Sequence, residues 1–270
     1  MNLLSVAAPV VFGWFTVGVG LVAGLVAGQD ARPPGPPVQL LPIVQVLARA
    51  DELHERRDEP PALSEEESLV AGAVARAPRD YEVLWRAARL AFWRSDDPGQ
   101  SKEERSRVGK DGWDLAERAV AINPNRVEGQ YWAAVCMGNY ALGLGVVKAL
   151  SMGMEGKFRE RLGRATQLDR RYEHGAVDTA WGRFFDKLPW PKRDRDQAER
   201  HLRRAIEENP FNLRARVYLA SSYLDQNRAA EAKRLLDEVA AAPIDDRYDP
   251  PEERRAKAVG AGLRQKVATK

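Results

Sequence analysis

From Val38 onward apolar residues return every three or four positions, and Asn, Asp, Gly and Pro interrupt them at short intervals. That rhythm predicts helices joined by turns. Leu40, Ile43, Val44, Leu47, Ala50 and Leu53 place a first helix over 38–57, with Pro42 in its first turn, and 58–61 break it. Ser64 and Glu67 read as the capping box of a second helix that Pro78 closes. Asp80 opens a third, with Leu84, Trp85, Ala88, Leu90, Ala91 and Phe92 as its apolar set. After a loop over 95–101 a long helix spans 102–122, carrying Leu115, Ala119 and Ile122. Asn123 and Pro124 end it, and Asn125 with Glu128, a second capping box, starts a new helix at Arg126 that must bury Tyr131, Trp132, Val135 and Cys136. Gly138, Gly143, Gly145 and Gly153 blur the end of that helix, which is drawn towards Leu150. Further helices are predicted over 155–168, 171–188, 194–208, 212–225, 229–241 and 250–267.

The turns inside successive helix pairs fall at Pro78, Pro124, Arg170 and Pro210, at intervals of 46, 46 and 40 residues. Each follows a similar word, VARAP, ERAVAINP, GRATQLD or RRAIEENP, with a small residue about five positions before the turn, or nearer in the first. A large side chain there would push the two helices apart. One helical hairpin cannot bury its apolar face alone, so the repetition supplies the core. The expected fold is all-α: a stack of antiparallel helix hairpins, an α-solenoid, whose jointly formed surface suits binding.

Residues 3–28, 26 positions without a charged side chain, are long enough to cross a bilayer as a helix. A cleaved signal segment ending at Gly28 is the competing reading, but no Lys or Arg precedes the run and it exceeds an ordinary signal core. Either reading puts the rest of the protein outside the cytoplasm. Residues 29–37 form a linker whose RPPGPP word is extended, 38–249 the repeat domain, and 250–270 a C-terminal capping helix and tail. Forty-two Lys and Arg oppose 39 Asp and Glu, and because the signs alternate along the helices the net +3 leaves no nucleic-acid footprint. A single cysteine, Cys136, among Ala133, Val135 and Met137, excludes a disulfide framework and a thiolate metal site and reads as a small core residue.

The words around Ala119 and Ala205 resemble the tetratricopeptide repeat, with Pro124 and Pro210 following where the first helix of its unit ends. The spacing exceeds that family's period of about 34 residues, so the units are divergent with long loops. Within that superfamily the chain resembles TatT, the T component associated with TRAP transporters, over 48–242. The carriers are ADELHERRD from Ala50, AERAVAINP, GQYWAA, GRATQLDRRYEHGA and DQAERHLRRAIEENP. That resemblance implies an all-helical periplasmic protein of the cell envelope that associates with the solute-binding component of a TRAP system. T components are commonly lipoproteins. Here no cysteine lies near the end of the apolar segment, so a membrane-spanning helix or free export must replace a lipid anchor. A second resemblance, to the helical domain of regulator-of-microtubule-dynamics proteins, rests on LWRAARLAFW and the same hairpins, and ranks lower because nothing else suggests a eukaryotic setting.

The chain has no Walker loop, no HExxH, no GxSxG and no Cys or His cluster, so no catalytic role, cofactor or metal is expected. His54 and His201, among charged residues on helices, are expected to be solvated, and His174 to sit near the mouth of a groove. Tyr131, Trp132, Trp181 and Phe185 are the candidate groove residues for a ligand or partner. The stretch 143–154, GLGVVKALSMGM, offers either an adaptable apolar surface for a partner helix or lipid, or a helix end packed under the next hairpin. The expected function is a non-catalytic adaptor with a protein partner. The alternatives are a general scaffold for envelope assembly and a carrier of a small apolar ligand.

Overall fold

The computed structural model describes residues 41–245 and 247–268. The uncharged segment, the Pro-rich linker and the start of the predicted first helix lie outside the described residues. Among the described residues twelve helices follow one another: α1 Ile43–His54, α2 Pro60–Arg76, α3 Tyr81–Ser95, α4 Lys102–Ile122, α5 Val127–Leu144 and α6 Val146–Ser151. After these come α7 Met154–Leu168, α8 Tyr172–Lys187, α9 Arg195–Glu208, α10 Leu213–Leu224, α11 Ala229–Ala241 and α12 Pro250–Ala268. Among the described residues no helix is long and apolar enough to cross a membrane.

Four helix starts follow from side chains that accept the unpaired amides of the first turn. Asp80 accepts from Glu82 and Val83, Ser101 from Glu104, Asp194 from Gln197 and Asn212 from Ala215. The two capping boxes expected at Ser64 and Asn125 do not form. Helix α2 begins five residues earlier because Pro60 and Pro61 are accepted in its first turn, where their missing N–H groups cost nothing. Ser64 is therefore interior, its carbonyl accepting from the Ser68 hydroxyl, and Glu67 pairs with Arg94 at 2.9 Å. At the other site the Asn123 side chain captures the Asn125 N–H in a local turn, which moves the start of α5 to Val127. Glu128 then accepts from the Tyr81 hydroxyl and pairs with Arg126. Gly145, at φ 97°, separates α5 from α6, so the predicted helix towards Leu150 is two.

Helix α4 lies between α3 and α5, α7 packs on α5, α8 on α9, and α10 on α9, α11 and α12. The alanine five positions before each turn, Ala73, Ala119, Ala165 and Ala205, is at most 1% exposed, so the first unit obeys the same rule as the others. The largest core cluster joins α3, α4, α5 and α7 through Leu84, Ala116, Met137 and Leu162, and a second holds Leu202, Leu219 and Leu236. Ile122, expected inside, is the last residue of α4 and is 46% exposed. Helix α8 runs on from a bend at Glu173, His174 and Gly175, all with φ between 49° and 89°.

The two histidines expected in water are not there. Nδ1 of His54 lies 2.8 Å from Oε1 of Glu66, and both side chains are buried between α1 and α2. His201 sits half-buried on α9, with Nδ1 2.6 Å from the wholly buried carboxylate of Asp178 on α8. Far-ultraviolet circular dichroism of a chain starting at Val38 is expected to show a helical spectrum, since Leu41 to the C-terminus form one compact unit. A largely coil spectrum would contradict that unit's independence.

Candidate binding cavity

A cavity of about 350 Å³ opens inside the curve of the repeats, between α3, α5, α6, α7, α8, α10 and the start of α12. Its apolar wall includes Phe92 of α3, Tyr131, Trp132 and Val135 of α5, Leu150 of α6, Met154 and Phe158 of α7 and Phe184 of α8. Rings lock this wall together. Tyr131 meets Trp132 edge-on at 4.9 Å and Tyr172 at 5.3 Å, Phe92 lies 5.5 Å from Trp132, and Phe158 stacks on Phe184 at 4.5 Å. The Trp132 indole N–H donates to the Tyr172 hydroxyl at 3.1 Å, so neither polar tip is stranded in the apolar wall.

One end of the cavity is polar. Arg214 of α10 pairs with Asp96 beyond α3 at 2.8 Å and with Glu252 of α12, binding three distant parts of the chain to one guanidinium. Burial pushes the Glu252 carboxyl up, and Arg214 opposes the shift. Glu173 also lines the cavity; its carboxyl keeps some solvent contact but is ringed by protein, and that surrounding burial raises its pKa. The left-handed backbone at Glu173 and His174, a conformation costly for residues with a Cβ, turns both side chains into the cavity wall. His174 meets Tyr248 edge-on at 5.3 Å.

Arg183 of α8 stands apart. Its guanidinium lies 4.3 Å from the Tyr218 ring centre, it forms no ion pair among the described residues, and its buried Nε has no hydrogen-bond partner. A guanidinium in a partly apolar cavity without an anion is a standing demand for one.

Residues far apart in sequence close the cavity. Arg57, 5% exposed and following α1, donates to Asp249 and to the His54 carbonyl, and Arg254 of α12 pairs with Asp58. Trp93 is covered by the guanidinium groups of Arg57 and Arg255, and Arg255 also donates to the Trp93 carbonyl at 2.8 Å. The last helix thus reaches back to the first, and the curved stack closes round its own concave face.

His54 lines the cavity beside this closure. Burial holds its imidazole well below 6.5, and burial raises the Glu66 carboxyl to about 7. The native pair gains a proton at Glu66 near the pH at which the unfolded chain gains one at His54, so proton counts match and stability changes little from it. Glu66→Gln removes that match. The unfolded chain then takes up a His54 proton as pH falls through 6.5 and the native chain does not, so stability drops with decreasing pH. Urea midpoints are expected to fall by the equivalent of about 2 kcal/mol between roughly pH 7.5 and 5 relative to wild type. A parallel pH course for the two proteins would contradict it.

Of the four groove residues expected from sequence, the structure brings Tyr131 and Trp132 to the cavity and leaves Trp181 and Phe185 outside its lining. Trp181 donates to the Thr166 hydroxyl at 3.0 Å and stacks on Phe185 and His201, filling the seam between α7, α8 and α9. On α8 the cavity face belongs to Ala176, Ala180, Arg183, Phe184 and Lys187, next to the expected residues but round the helix. Sequence reasoning missed Arg183, Arg214 and Glu252. The only signal near them was Gly175 after Glu173 and His174, which marks a bend. Cys136 is fully buried against Ala88, and burial pushes its thiol pKa up, which leaves it inert.

Comparison with known proteins bears on the fold. A family model described as regulator of microtubule dynamics protein 1-3 matches residues 46–175, just under half of the chain, and includes the LWRAARLAFW word. A tetratricopeptide repeat model matches 192–248. No curated protein matches. Among solved structures, the crystal structure of TTC0263, a thermophilic TPR protein in Thermus thermophilus, superposes with a TM-score of 0.61 at 17% identity, covering 82% of this chain and 98% of that one. The likeness shows the fold, a stack of tetratricopeptide-like helical hairpins.

Proposed function

We propose that the protein is a non-catalytic binding module whose concave cavity receives a short segment of a protein partner, one presenting an apolar side chain beside an acidic group. One observation carries this reading: an aromatic cavity with one guanidinium, Arg183, left without an anion among the described residues. The volume of about 350 Å³ sits at the small end of ligand pockets, enough for one or two side chains and too little for a long helix. Walls that are already packed lose little freedom on binding. The T-component resemblance would make the partner a TRAP solute-binding component and the setting the cell envelope; this is the finer form of the proposal. A second reading, carriage of a small amphipathic ligand, is favoured by the ion pairs that close the cavity.

Crosslinked pull-down of the full-length protein from its native cells, beside Arg183→Gln, tests the proposal. Because Arg183 supports no ion pair among the described residues, the variant is expected to keep its helical spectrum and urea midpoint while capture falls at least several-fold. Unchanged capture would sink the assignment of the cavity. Native mass spectrometry of the same material separates the two readings, since a carrier retains a small molecule that Arg183→Gln loses.

A further inference from the structure

Three of the most exposed apolar side chains stand on α6, on the turn after it and on the loop between α8 and α9. Val147 is 71% exposed, Met152 52% and Trp190 88%. They come from two stretches of chain held together by the ion pair of Lys192 with Glu155, which stands three residues from Met152 as Lys192 stands two from Trp190. The neighbouring faces are inside the protein: Ala149 and Leu150 of α6 and Leu188 after α8 line the cavity. The apolar tips therefore border the cavity from outside, two of them on the stretch 143–154 whose sequence suggested an adaptable surface.

The charge around the rim is basic. Lys148, Lys192 and Arg193 are exposed, and Glu155, the acidic group among them, is taken by both Lys192 and Arg159. Glu160 pairs with Arg161 and Asp194 caps α9, which leaves exposed Asp196 as the nearby acid without an ion pair among the described residues, against three cations. A projecting indole with short aliphatic neighbours and lysines at its border is the arrangement that sits at the boundary of lipid headgroups and acyl chains. A flat, continuous apolar face, as a second copy would need, is not what these separate tips offer. We propose that this rim is a docking surface for an anionic lipid bilayer. Each lysine near such a surface adds a modest attraction and the indole fixes depth, so binding is weak and reversible. A chain tethered through its uncharged run 3–28 would need no more than that.

The test uses the full-length chain with Met152→Cys carrying a polarity-sensitive fluorophore; Cys136, fully buried, does not compete for the label. A second labelled chain, Ala240→Cys on exposed α11, serves as reference. Reconstituted in phosphatidylcholine vesicles with about one third phosphatidylserine, the probe at 152 is expected to shift to the blue and to be quenched by spin-labelled lipid, and the probe at 240 to do neither. Trp190→Ser or Lys148→Glu, both at exposed positions, should remove most of that shift while the helical spectrum stays unchanged. A water-like probe at 152 overturns the proposal, as does an equal response on purely zwitterionic vesicles. A shift that grows with protein concentration without vesicles overturns it too, in favour of contact between copies.

Discussion

Replacing Gly109 with valine is expected to lower the unfolding free energy by roughly 3 kcal/mol, the upper part of the range for overpacking a close contact. A Cβ at 109 would stand 2.6 Å from the Tyr140 amide nitrogen and 3.1 Å from the Cys136 carbonyl oxygen, both backbone atoms of α5. No side chain can turn away to relieve that contact, so α4 and α5 must separate. Helix propensity opposes the loss by only about 1 kcal/mol, which is too little to change the sign even for alanine. Gly72 and Gly163 provide the contrast: no atom lies within 4 Å of a Cβ at either position, so alanine there should stabilise slightly. Urea unfolding of the three variants checks the ordering. Because α5 carries Tyr131 and Trp132, Gly109→Val should also weaken capture by the cavity, which Gly163→Ala should not. Equal stability of Gly109→Val and wild type would mean the hairpin is looser than its geometry.

Asp178→Asn is expected to cost about 3 kcal/mol at neutral pH, the low end for breaking a buried ion pair. The carboxylate, wholly buried on α8, accepts two bonds from Arg170 at 2.8 Å and faces Nδ1 of His201 at 2.6 Å. It ties the α7–α8 turn and α9 to one point. An amide of the same shape offers one acceptor oxygen and leaves part of that positive charge unmatched. Arg170 is 38% exposed and can turn to water, which keeps the loss near the low end of the range. Burial alone would raise the Asp178 pKa, but hydrogen bonds from His201 and Arg170 outweigh it and hold the carboxyl below 3.8. The stabilisation from that depressed pKa is therefore present above 3.8 and disappears as pH falls through the folded value. Urea midpoints of wild type and Asp178→Asn should accordingly differ widely near neutral pH and converge in strong acid. A difference that stays constant down to low pH would contradict the ionic origin.

Much of the fold was legible because helix periodicity and turn residues act locally. Pro78, Pro124 and Pro210 end helices wherever the tertiary structure places them, and Asp80, Ser101, Asp194 and Asn212 satisfy amides within their own turn. The two misread capping boxes failed where a competing local option was stronger, paired prolines at the start of α2 and the Asn123 side chain before α5. The cavity was only half legible. Tyr131 and Trp132 share the apolar face of α5, which sequence can show; whether α8 turns Trp181 or Phe184 inward depends on the bend at 173–175, where the helix phase is reset. Arg183, Arg214 and Glu252 look like any solvated charge in sequence, and only the return of α12 to α1 and α3 takes two of them out of water.

The most direct test of the binding account is site-resolved crosslinking in the native cells. A photo-crosslinking residue is introduced either at His174, at the cavity wall, or at Ala240, on the outer face of α11. The account predicts that His174 yields a covalent adduct to a defined segment of one partner, that Arg183→Gln in the same chain suppresses it, and that Ala240 yields none. Adducts to the same partner from Ala240 with none from His174 would place binding on the outside of the stack and contradict the assignment of the cavity.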